Sequence, residues 1–66
     1  MIYKTVYVEN TFEAGVAVGS LRSFLAGQDA GELNVVASGE DSVEVEIACH
    51  SHLVMAYAED KLADFV

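Results

Sequence analysis

The stretch VEVEIAC, residues 43–49, decides the fold of this 66-residue chain. Its apolar side chains recur at every second position, and Glu44 and Glu46 stand between them. Because successive side chains of a strand point to opposite faces, the pattern predicts a strand with one buried face and one wet face. The turn cluster SGEDS at 38–42 and a short apolar run at 33–38 come before it, so we expect a β-hairpin.

The first part of the chain predicts a strand followed by a helix. Residues 2–9, IYKTVYVE, are rich in β-branched and aromatic side chains, which favour a strand. Asn10 stands where a helix N-cap is expected, and Glu13 follows it at the capping-box spacing. A helix over residues 11–26 is therefore predicted, and Gly27 is expected to end it in the left-handed conformation.

The last part of the chain predicts a second helix over residues 52–65, with Ser51 as its cap, because apolar side chains recur there at helical spacing. The element order is then β-α-β-β-α. We predict a two-layer α+β sandwich with a three-stranded mixed sheet in the order 2-3-1 and both helices on one face. A single domain over residues 1–66 holds all of these elements.

The charge balance excludes several classes of function. The chain has 3 basic and 11 acidic residues, which gives a formal net charge of −8. A protein that binds nucleic acid or an anionic lipid surface directly needs a basic patch, and this chain lacks one. The sequence has no apolar run long enough to span a membrane and no signal-peptide block. Its single cysteine, Cys49, cannot form an internal disulfide. A soluble cytoplasmic protein is therefore expected.

Acidic residues concentrate around the predicted central strand, and two tyrosines are expected on the same outer sheet face. The predicted partner-binding residues are Tyr3, Tyr7, Glu40, Asp41, Glu44 and Glu46. A negative field speeds the encounter with a basic partner, and tyrosines are common anchors at protein interfaces. The alternative interpretation is a solvated sheet face whose charge only maintains solubility.

These features predict a non-enzymatic acidic interaction protein that binds a basic surface of a partner protein. Many basic surfaces in cells are nucleic-acid-binding grooves, so blocking such a site is the expected mechanism. In size and charge the chain is comparable to acidic inhibitors that phages and mobile elements direct against host nucleases or nucleic-acid-guided defence complexes. No phosphate-binding glycine loop or nucleophile elbow is present, so neither catalysis nor a cofactor is expected.

The first predicted helix carries a second apolar side opposite its core stripe. The residues of this side are Phe12, Gly15, Val16, Gly19 and Ser23. Each glycine inside a helix costs about 0.8–1.0 kcal/mol relative to alanine, so close approach of another backbone is the expected reason for the two glycines. Either the second helix of the same chain packs there, or another molecule does. The second interpretation includes a homodimer and, as an alternative function, a self-assembling structural subunit.

The segment CHSH at 49–52 is the only cluster of good metal ligands or nucleophiles. Cys49, His50 and His52 are weak candidate ligands for zinc, with Glu46 as a further donor, and a small metal-binding or metal-sensing domain is the other alternative function. The competing interpretation makes Cys49 a buried apolar residue and places the histidines at a strand end and a helix start. A Cys–His nucleophilic pair is disfavoured because neighbouring strand residues face opposite ways.

Overall fold

The computed structural model describes residues 1–66 and has an α+β architecture. Its elements in chain order are β1 (Ile2–Glu9), α1 (Phe12–Gly27), β2 (Gly31–Ser38), β3 (Ser42–Cys49), α2 (His52–Leu62) and a 3₁₀ turn (Ala63–Phe65). The predicted element order is confirmed. Neither helix has the length and apolar character that crossing a membrane requires.

The sheet is built around β3, in the order β1-β3-β2, and both pairings are antiparallel. The predicted order 2-3-1 is the same arrangement counted from the other edge. The prediction of a mixed sheet is wrong. The connection through α1 does make β1 and β2 run in the same direction, but β3 lies between them, so no two parallel strands are neighbours.

The register divides the sheet residues into two faces. Val45 pairs with Val6 and Val35, and Ile47 pairs with Lys4 and Leu33, so these positions share what we call the inner face. An 11-residue core joins this inner face to both helices. Its members are Val8, Val18, Leu21, Leu25, Leu33, Val45, Ile47, Cys49, Met55, Ala58 and Leu62. No polar or charged residue is buried, so the core needs no internal polar partner.

Helix α1 begins one residue later than predicted. Thr11, not Asn10, is the N-cap, since the Thr11 hydroxyl accepts a hydrogen bond from the Ala14 N–H at 3.2 Å. The Asn10 amide Nδ2 instead donates to the Gly39 carbonyl at 2.7 Å, and its backbone N–H donates to the Asp41 carbonyl at 3.2 Å. Asn10 therefore fastens the β2–β3 turn to the end of β1.

The expectation that Gly27 ends α1 in the left-handed conformation is also wrong. Gly27 is the last helical residue, and Asp29 takes the positive φ of 51°. The Asp29 N–H donates to the Ala26 carbonyl at 3.2 Å and the Ala30 N–H to the Leu25 carbonyl at 3.0 Å. This pair of hydrogen bonds is a Schellman motif, in which aspartate, although less favourable than glycine, can occupy the left-handed position.

The second half of the chain agrees with the sequence prediction except at three boundaries, of which the smallest difference is the start of β3 at Ser42, one residue earlier than predicted. The Ser51 hydroxyl caps α2 by accepting from the Val54 N–H at 3.2 Å, as predicted. Helix α2 ends at Leu62, where the backbone tightens into the 3₁₀ turn. Strand β2 begins at Gly31, two residues earlier than expected. The glycine allows β2 to approach the β3 backbone closely, because a Cβ at this position would collide with the Ala48 carbonyl oxygen.

We therefore expect Gly31→Ala to lower the free energy of unfolding by about 1–3 kcal/mol, the usual cost of forcing extra volume into a packed site. Urea denaturation followed by circular dichroism measures the change. Gly15→Ala is the matched control, because a Cβ there meets nothing within 4 Å. Helix propensity should make the control about 0.8–1.0 kcal/mol more stable in dilute solution. Equal stability changes in the two variants would contradict the close contact at Gly31.

Candidate partner-binding surface

The antiparallel register of β1 and β3 places Tyr7 directly opposite a glutamate and Tyr3 further along the same face. Tyr7 pairs with Glu44, Thr5 with Glu46, and Tyr3 with Ala48. Directly opposed residues of an antiparallel pair have Cβ atoms about 4.5–5.5 Å apart, so each pair forms one local contact surface. These positions lie on the side of the sheet opposite the core, which we call the outer face. Both tyrosines therefore share the outer face with the β3 glutamates, as predicted.

Both tyrosines present most of their side chains to solvent. Tyr3 is 68% exposed and Tyr7 is 59% exposed, and neither hydroxyl forms an intramolecular hydrogen bond. A tyrosine in this condition offers an apolar ring together with an unused donor and acceptor. Since each residue of a strand advances about 3.3–3.4 Å, the two tyrosines, four residues apart, are about 13 Å from each other on one face, with Thr5 between them.

The other two predicted acidic residues lie in the turn that leads into β3. Glu40 and Asp41 are both exposed, and the Gly39 N–H closes the turn by donating to the Ser42 carbonyl at 2.8 Å. Together with the two hydrogen bonds from Asn10, this contact holds the turn at the end of the outer face. The four carboxylates are thus presented on a strand and its adjoining turn.

The predicted site leaves out two acidic residues of this surface. Glu9 is exposed at the end of β1, two residues beyond Tyr7, and so shares its face. Glu32 lies in β2, where it pairs with Ala48, and its side chain is exposed on the outer face. The sequence pattern places Glu32 in the connection before β2, because it predicts a strand that starts only at residue 33. The glycine at position 31 is the sequence signal that could have indicated the earlier start of β2, since a glycine beside a strand pattern is a sign that another backbone approaches closely.

No basic side chain neutralises the outer face. The only ion pair of the structure joins Lys4 Nζ to Glu59 Oε2 at 2.9 Å, and it lies on the inner side, between β1 and α2. Lys61 Nζ lies 5.2 Å from the centroid of the Tyr57 ring, and Arg22 is on α1. Six of the eleven carboxylates, at Glu9, Glu32, Glu40, Asp41, Glu44 and Glu46, therefore lie on the outer face or its turn without a cationic partner.

The apolar side of α1 has no intramolecular partner. A Cβ added at Gly15 or Gly19 would have no atom within 4 Å, so the interpretation that α2 packs against these glycines is wrong. Helix α2 meets α1 on another side, where the Phe24 and Tyr57 rings are 4.9 Å apart. The other three residues of the apolar side, Phe12, Val16 and Ser23, are exposed. That another molecule covers this side stays a prediction.

The cysteine and histidines are not brought together. Cys49 is completely buried in the core, whereas His50 and His52 are exposed and Glu46 lies on the outer face. The structure contains no group of three histidine, cysteine or carboxylate side chains arranged to hold a metal ion. Burial raises the pKa of the Cys49 thiol above its ordinary value, which disfavours the reactive thiolate.

We expect Cys49 to be alkylated by iodoacetamide roughly tenfold or more slowly in the native chain than in the urea-unfolded chain, because burial hides the sulfur and disfavours the thiolate. Mass spectrometry of timed samples measures the rate. Leu53→Cys supplies an internal control, since residue 53 is 83% exposed and should react quickly in the same molecule. Equal native rates for the two thiols would contradict the burial of Cys49.

Comparisons with family models, with curated proteins and with solved structures found no match for this chain.

Proposed function

We propose that this chain is a non-enzymatic acidic interaction protein whose outer face binds a basic surface of a partner protein. The observation that supports the proposal most directly is the register that places exposed Tyr7 opposite Glu44 on a face without basic side chains. In this proposal both helices cover the inner face, as in the predicted two-layer sandwich, and the outer face is left for the partner.

The physical basis of binding is the combination of long-range attraction with short-range contact. A cluster of unpaired carboxylates attracts a basic surface and accelerates association, and ions in solution screen this attraction. The Tyr3 and Tyr7 rings then supply rigid apolar contact area with few rotatable bonds. Charge selects the class of partner, whereas the tyrosines stabilise the complex once it has formed.

The proposed mechanism is occupation of a site that otherwise holds nucleic acid. Basic grooves that bind DNA or RNA are built to neutralise a regular series of phosphates. Glu44 and Glu46, about 6.6–6.8 Å apart along β3, together with the adjoining turn carboxylates, present a comparable series of anionic oxygens. An inhibitor of a nuclease or of a nucleic-acid-guided defence complex, as phages and mobile elements encode, would act in this way.

Charge reversal at the outer face tests this proposal. The double variant Glu44→Lys/Glu46→Lys should weaken binding to a basic partner roughly tenfold or more, because like charges then oppose each other across the interface. Partners are captured from the native cell at low salt and identified by mass spectrometry. The captured protein should be basic, should be released by added salt, and should be displaced by DNA or RNA in a competition titration.

Asp60→Lys/Asp64→Lys is the matched control. It changes the net charge by the same amount, and both of its residues are exposed on α2 and the 3₁₀ turn and not on a strand of the outer face. The control should retain the partner, and circular dichroism should show both double variants folded. Equal loss of binding in the two variants would show that binding depends on net charge and not on the outer face. A partner whose binding is unchanged by both variants would contradict the proposal outright.

A further inference from the structure

An open groove runs between α1 and the inner face of the sheet, with a volume of about 320 Å³. The side of α1 that contains Gly15 and Gly19 forms one wall, and Leu33 and Val35 of β2 contribute to its floor. No residue of α2 lines the groove. Since β2 is an edge strand and α2 lies against β1 and β3, the groove lies on the β2 side of the molecule, and it extends to the end of the sheet, where Val8 of β1 and Val43 of β3 also line it.

The two edges of the sheet are protected to different degrees. On β1, the inner-face residue Lys4 carries a charge and is paired with Glu59 of α2. Lysines and inward-pointing charges are devices by which natural proteins prevent edge-to-edge pairing. Strand β2, GELNVVAS, has no lysine, no proline and no charge on its inner face, and Val35 and Val36 are each about half exposed. A bulge after Val35 is its only irregularity, which leaves regular strand from Gly31 to Val35.

The distribution of charge indicates which molecule can cover this flank. The groove lining contains one basic residue, Arg22, and one acidic residue, Glu9, and β2 adds one further charge, Glu32, on its outer face. The exposed apolar side of α1 borders the groove and has no charge among Phe12, Val16 and Ser23. A chain with a net charge of −8 repels its own copies over most of its surface, so a near-neutral apolar flank is where a second copy can approach.

We propose that a second copy of this chain pairs its β2 antiparallel to β2 of the first copy about a twofold axis. The two sheets then continue as one six-stranded sheet, and the two α1 helices come side by side above the junction. Paired strands are about 4.7–4.9 Å apart, whereas packed helices are usually 8–10 Å apart, so helices that lie above adjacent edge strands are pressed together. Gly15 and Gly19, on the sides that meet, allow this close approach.

The size of the flank suits a stable dimer. A standard interface buries about 800 Å² on each partner, which is roughly a fifth of the 4176 Å² of surface on this chain. The longest extent of the molecule is 31 Å, and the flank spans α1 as well as the free edge of β2. A twofold interface closes on itself, so the expected product is a dimer and not a filament.

Sedimentation equilibrium over a range of protein concentrations tests the proposal. The wild-type chain should reach twice its monomer mass of 7.1 kDa. Val35→Lys, which introduces a lysine at the half-exposed edge, should weaken dimerisation at least tenfold. Leu53→Lys is the matched control, because Leu53 is an exposed apolar residue of α2 on another side, and it should leave the dimer intact.

Gly19→Ala gives a second, independent readout. Its Cβ meets only open space in the monomer, so the variant should fold with an unchanged or higher melting temperature while dimerisation weakens. Hydrogen exchange should show β2 amides that gain protection with concentration in the wild type and not in Val35→Lys. A wild type that is monomeric at millimolar concentration, an open-ended polymer, or a dimer unaffected by both variants would each overturn the proposal.

Salt separates this proposal from the proposed function. Screening reduces the repulsion between two acidic copies, so dimerisation should strengthen as salt is added. Binding of a basic partner to the outer face should weaken under the same conditions. The two proposals therefore predict opposite effects of salt, and the failure of one can be distinguished from the failure of the other.

Discussion

The antiparallel pairing of β3 with both of its neighbours is the constraint on which the rest of the structure depends. β1 and β2 have no contact with each other in the sheet, so each has β3 as its only strand partner. The same strand supplies Val45, Ile47 and Cys49 to the core, all of them completely buried. Backbone pairing and apolar burial are thus concentrated in one segment, and both helices add their buried side chains to it.

The alternation of side chains along β3 joins stability to the proposed function. Because residues two apart share a face, burying Val45 and Ile47 obliges Glu44 and Glu46 to lie on the outer face. A register slip by one residue would place these carboxylates in the core, where unpaired charge is very costly. The position of the acidic surface is therefore set by the same pairing that forms the core.

Regular patterns are predictable from the sequence, whereas features set by backbone contacts between distant segments are not. The period-two pattern at 43–49 predicts that the glutamates of β3 share one face. The helical crossover and the hairpin that follows it predict β3 in the centre, which places the tyrosines on the same face. Local spacing wrongly predicts Asn10 as a helix cap. The Asn10 amide instead donates to the Gly39 carbonyl, 29 residues away, and local spacing contains no information about so distant a partner. Residue preference favours Gly27 for the left-handed position, yet the end of α1 places that conformation at Asp29. The glycines of α1 show the same limit, since their spacing indicates a close approach but cannot distinguish a partner within the chain from one outside it.

Small size and uneven charge together explain why two different surfaces remain available for interaction. With 13 buried residues, this chain closes one core and leaves the outer face and the β2 flank uncovered. Lys4 and Lys61 are engaged near α2, and Arg22 lies at the flank groove, so the outer face retains its full negative charge. The face proposed to bind basic proteins is consequently the one expected to repel copies of the chain, while the flank, which carries little net charge, is the proposed contact between copies. The same distribution of charge is thus the physical reason for proposing a different kind of partner for each surface.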